Sequence, residues 1–136
     1  MGTYDVVFID DEEFLTEIFK HFVGRKYDTW RCTTFSDSTK AYKQIMDEGL
    51  SARVWIVDLM MPEMNGAQIA EAIRSRQNGN ETLVIAYTAM ERSEMLRHEE
   101  LRSRMGLFDW IMNKRSMLPE ILLQVQPLIE QPEPSV

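Results

Sequence analysis

The chain has 136 residues, 44% of them apolar, which suits one domain with a single buried core and argues against disorder. Lys and Arg number 15 against 22 Asp and Glu, and the net charge of −7, with no segregated basic patch, opposes direct nucleic-acid binding. No apolar run nears the roughly 18 residues of a membrane span, and MGTYDVVFIDDE lacks the regions of a signal peptide, so a cytoplasmic protein without membrane association is expected.

In chain order, YDVVFI (4–9) is short, apolar and β-branched, and predicts a buried strand. Leu15, Ile18, Phe19 and Phe22 fall at i, i+3, i+4 and i+7 and predict a helix with one apolar stripe after an acidic first turn. YDTWRCTTF (27–35) is a weaker, alternating strand suited to a sheet edge; its lone Cys32 can form no internal disulfide and reads as a small buried side chain. Ser36 or Asp37 can cap a helix carrying Ala41, Tyr42, Ile45 and Met46, which Gly49 ends. RVWIV (53–57) is the next strand, followed by a helix capped by Asn65 with Ile69, Ala70 and Ile73 inside. TLVIAY (82–87) is a strand, and 91–105 reads as one charged helix with Glu100 and Arg104 spaced for an ion pair and Met95, Leu101 and Met105 apolar. LFDWIM (107–112) is the last strand. The final helix has Pro119 in its first turn, Leu118, Ile121, Leu122 and Val125 inward, and Pro127 bending or fraying its end. One domain over 1–130 is expected, with the polar QPEPSV at 131–136 as a tail or the start of a linker.

Alternating strands and helices predict a parallel sheet covered on both faces, because parallel neighbours need right-handed crossovers. In such sheets the functional crevice lies beyond the carboxyl ends of the strands. There the sequence places Asp10 and Asp11, Asp58, Thr88 and Lys114. Singly, each has a bland role: an acid at a helix start, a turn residue, a cap, a solvated amine. Together, three close carboxylates repel one another and call for a hard cation; with no His or Cys among them, Mg²⁺ fits. With phosphate added, one carboxylate can act as nucleophile and form an acyl phosphate, and Asp58, at the end of the most central strand, is the candidate.

FIDDE, DLMMPEMNG, IAYTA and WIMNK, in this order, resemble the receiver domains of two-component response regulators, the CheY-like superfamily, over residues 4–130. The resemblance implies a flavodoxin-like, doubly wound, five-stranded parallel sheet of order 2-1-3-4-5. It implies that Asp58 accepts a phosphoryl group from a histidine kinase or histidine phosphotransfer protein. It implies Mg²⁺ on Asp11, Asp58 and the Met60 carbonyl with Asp10 assisting, and Thr88 and Lys114 contacting the phosphoryl oxygens as the switch. A downstream protein or C-terminal output domain would read that switch, and the face of the fourth helix, fifth strand and last helix is where partner or dimer contacts are expected. No enzymatic activity beyond self-phosphorylation and dephosphorylation is implied.

Met60 and Met90, each two residues past a site residue, are expected to shield the acyl phosphate from water. Three departures from the family pattern stand out: Arg115 replaces the proline after the lysine, Ile111 with Trp110 beside it replaces the switch aromatic, and the 88–114 segment is longer by about one helical turn. His21 and His98 read as surface residues. Two other classes compete. A haloacid-dehalogenase-type phosphatase needs DxDxT, which is missing, and a phosphorylation-independent interaction module would not need the intact constellation. A dinucleotide-binding domain would need a Gly-rich loop after the first strand.

Overall fold

The computed structural model describes residues 3–77 and 82–131. Five strands, β1 (Tyr4–Ile9), β2 (Cys32–Phe35), β3 (Ala52–Val57), β4 (Leu83–Thr88) and β5 (Trp110–Asn113), form one parallel sheet in the order β2-β1-β3-β4-β5. This is the expected flavodoxin-like order. The connections carry α1 (Glu13–Lys26), α2 (Ser38–Asp47), α3 (Gly66–Arg76), two short helices α4 (Arg92–Arg97) and α5 (Glu99–Arg102), and a 3₁₀ turn (Met105–Leu107); α6 (Leu118–Glu130) follows β5.

Side chains alternate across the sheet, so each strand feeds two cores. Val7, Ile9, Trp55, Val57, Val84 and Ala86 pack against α2 and α3. Val6, Phe8, Val54, Ile56, Ile85 and Tyr87 meet Phe19 and Val23 of α1 and Ile121, Leu122 and Val125 of α6. Burial on both faces explains why these strands read as continuous apolar runs. The caps follow the sequence: Asp37 accepts from the Thr39 and Lys40 amides, Asn65 and Gln68 form a capping box, and Gly49 takes φ 69 after α2.

Several expectations need correction. The 91–105 helix is broken at His98, whose ψ of 105 is extended. Met95 and Leu101 are both buried, yet six residues apart they fall on different sides of a continuous helix, and the break lets both reach the core. The last strand starts at Trp110, because Met105 and Leu107 pack from the 3₁₀ turn and the buried Phe108 leads into the strand. On α1 the buried residues are Thr16, Phe19 and Val23, and Ile18 turns outward beside an exposed Phe14. Cys32 is only half-buried, but burial still pushes its thiol up to about 11. Pro127 is accommodated within α6, which runs on to Glu130. Of the tail, residues 132–136 lie outside the described residues. Among the described residues no helix is long and apolar enough to cross a membrane.

Candidate functional site at the carboxyl edge of the sheet

Sheet hydrogen bonding extends one residue past the strand ends and fixes the site's backbone. The Asp10 amide donates to the Phe35 carbonyl (3.0 Å), the Asp58 amide to Ile9 (2.9 Å), and the Lys114 amide to Thr88 (2.8 Å). Asp10, Asp58 and Thr88 are buried as a result. The loop after Asp58 is braced from α2: the Ser38 hydroxyl donates to the Pro62 carbonyl (2.9 Å) and accepts from the Met64 amide (3.2 Å). Glu63 completes that turn at φ 72, and Met61 packs on the core beneath it. Gly66 is required by proximity, since a Cβ there would lie 2.3 Å from the Asp58 carbonyl oxygen and 2.9 Å from the Leu59 Cα.

The Lys114 ammonium, 15% exposed, lies 2.9 Å from Asp10 Oδ2, 3.0 Å from Glu12 Oε1 and 3.3 Å from Asp58 Oδ2. Burial, then the charge of Asp10, pushes the Asp58 carboxyl up to about 7 despite Lys114. Burial likewise raises Asp10, against the Glu12 amide and Lys114. Burial disfavours the Lys114 charge, but its close contacts with the Asp10 and Glu12 carboxylates and the charge of Asp58 outweigh it and hold its pKa up. The site therefore has more negative charge than one ammonium can compensate.

A divalent cation fits that deficit. Oxygens of Asp10, Asp11 and Asp58 lie within 4.8 Å of one another. Their hard oxygen donors are the kind that would hold Mg²⁺. Asp10 Oδ2 is buried and receives no hydrogen bond; the nearby Lys114 contact is ionic only, which leaves that oxygen available to a further cation.

The five residues singled out in the sequence, Asp10, Asp11, Asp58, Thr88 and Lys114, thus share one edge. Met60 adjoins them: its amide donates to Asp58 Oδ1 at 3.4 Å, and its side chain is 49% exposed. Met90 is half-buried in the core, and its amide donates to Thr88 Oγ1 at 3.1 Å. Ile111, 42% exposed, lines a cleft of about 220 Å³ with Thr88, Met90, Glu91, Arg92, Met95 and Asn113. Trp110 points the other way, into the α1 and α6 core, as strand alternation requires. No cis peptide occurs among the described residues, so Lys114–Arg115 is trans, and the Arg115 guanidinium pairs with Glu91. Glu12 is the site residue that the sequence reading passed over. The signal was there, as the third acid in a row in FIDDE.

Residues 6–124 match the family model described as the response regulator receiver domain. The transcriptional regulatory protein SrrA of Staphylococcus aureus is 28% identical over 127 residues, which are 93% of this chain and 48% of that protein. CssR of Bacillus subtilis, also a transcriptional regulatory protein, is 23% identical over 129 residues, 94% of this chain and 52% of its own. The chain spans about half the length of these curated relatives. A CheY-like receiver domain from Methanospirillum hungatei superposes with a TM-score of 0.73 at 12% identity, over 96% of both chains. With the fold, the acidic edge and the family model in agreement, the chain belongs to the response regulator receiver domains.

Proposed function

We propose that this chain is a phosphoacceptor switch in which Asp58 takes a phosphoryl group from a phosphohistidine of a histidine kinase or phosphotransfer protein. The observation that carries this reading is the burial of Asp58 at the end of the central strand, with Asp10, Asp11, Thr88 and Lys114 gathered on the same edge. An Asp58 oxygen forms the new bond to phosphorus as the donor's N–P bond breaks, and the imidazole leaves with the electron pair. Asp11, Asp58 and the Met60 carbonyl, with Asp10 assisting, would hold Mg²⁺, which would supply charge neutralisation for that transfer. Lys114 holds a positive charge beside the incoming oxygens, and Thr88 turns its hydroxyl toward them.

Drawing Thr88 inward frees its hold on the Met90 amide and shifts the loop that leads into α4. With Trp110 committed to the opposite core, Ile111 is the side chain that adjusts to that shift in the neighbouring cleft. Met60 and Met90 shield the acyl phosphate from water and lengthen its lifetime. The face of α4, β5 and α6 exposes Leu96, Ile111 and Leu123 and suits a downstream partner or a second copy. Residues 1–130 act as the cytoplasmic signalling unit, with 131–136 a polar tail or the start of a linker; the printed names of SrrA and CssR support a transcriptional output in the wider protein.

The phosphodonor would cover α1, whose first turn adjoins the site. Phe14 is 74% exposed there, and with Ile18 and Phe22 it borders an open apolar groove. The test is intact-mass measurement after incubation with Mg²⁺ and acetyl phosphate. Wild type gains one phosphoryl group and Asp58→Ala gains none; a gain by the variant, or none by wild type, refutes the reading.

A further inference from the structure

We infer that Glu12 is a positioning residue for Lys114, the counter-charge that keeps the ammonium in the site once a divalent cation has claimed Asp10 and Asp58. The inference rests on the metal reading above. Three carboxylates share Lys114, at 2.9, 3.0 and 3.3 Å, and two of them, Asp10 and Asp58, also belong to the acidic triad that would ligate a cation. Glu12 does not. Its backbone amide is tied to Asp10 Oδ1 at 2.9 Å, which aims the residue along the site's rim, while its side chain stays 59% exposed.

The consequence is thermodynamic. Without a cation, Lys114 has three carboxylates, and loss of Glu12 leaves two. With the cation bound, Asp10 and Asp58 give their charge to the metal, and Glu12 is the partner that remains. Removing Glu12 therefore destabilises the loaded state more than the empty one, and the cation binds more weakly. The effect must pass through Lys114. Simple loss of one negative charge at the rim would weaken binding whether or not the lysine is present.

A double-mutant cycle on Mg²⁺ affinity separates the two. Wild type, Glu12→Gln, Lys114→Met and the double variant are titrated with Mg²⁺ by calorimetry, without any phosphodonor, and circular dichroism confirms that each is folded. An exposed ion pair of this kind is worth up to about 1 kcal/mol, so Glu12→Gln should weaken Mg²⁺ binding about three- to fivefold with Lys114 present and less than about twofold in the Lys114→Met background. Equal steps in the two backgrounds, or no weakening by Glu12→Gln, overturn the inference. If wild type binds no Mg²⁺, the metal reading falls and this inference with it. Equal steps alongside normal Mg²⁺ binding and normal phosphorylation by acetyl phosphate refute the role of Glu12 alone.

Discussion

Substituting the central acid should stabilise the metal-free protein. Asp58 is buried, and its carboxyl is pushed up from 3.8 to about 7 by burial and by Asp10. The folded chain thus keeps a proton that the unfolded chain gives up between about pH 4 and 7, so stability falls as pH rises through that window. Asp10, raised by the same burial, adds to the fall. At about 1.4 kcal/mol per unit, the Asp58 shift sets a ceiling of about 4 kcal/mol on what ionisation takes from stability above pH 7. Asp58→Asn removes that charge while keeping the shape, but it also removes the 3.3 Å attraction to Lys114. The net gain at pH 8 should be about 1–3 kcal/mol, or about 3–10 °C in melting temperature for a domain of this size. Thermal melts in chelator across pH 4 to 8 measure it: the gap between variant and wild type should open as pH rises, and saturating Mg²⁺ should narrow it by stabilising wild type. A variant no more stable than wild type at pH 8, or a gap of the same size at pH 4, refutes the electrostatic account.

Three further outcomes follow from the geometry. Gly66→Ala puts a methyl against the Asp58 carbonyl and the Leu59 Cα, so urea unfolding should show a loss of about 2–4 kcal/mol. Phe14→Glu should slow phosphotransfer from a phosphohistidine-bearing protein at least about tenfold, by loss of apolar docking area, yet leave labelling by acetyl phosphate unchanged. Equal effects on both donors would count against docking through α1. Met60→Asn or Met60→Glu should shorten the lifetime of the phosphorylated protein, followed by loss of label after removal of donor; an unchanged half-life removes Met60 from any shielding role.

The sheet was legible because its strands are buried on both faces and therefore stand out as short apolar runs. The site was legible because a parallel sheet delivers the residue after each strand to one edge, so Asp10, Asp58 and Lys114 could be placed together from strand positions alone. The region after β4 was not. Its charged surface gave helical spacing to 91–105, whereas the demand to bury both Met95 and Leu101 broke the helix at His98, a tertiary constraint that local periodicity does not carry. On α1 the i, i+3, i+4 pattern could not say which side of a broad apolar arc faces the sheet, and Ile18 was misplaced. The Glu12–Lys114 pairing was not legible for a related reason: the two residues lie 102 apart in the chain, and only folding brings them together.

The central claim is that Asp58, and neither neighbouring acid, forms the acyl phosphate. Phosphorylated protein, reduced with borohydride and digested, should carry the trapped alcohol on the peptide containing Asp58. Reduction at Asp10 or Asp11 instead, or no trapped product from protein that has gained phosphoryl mass, would contradict it.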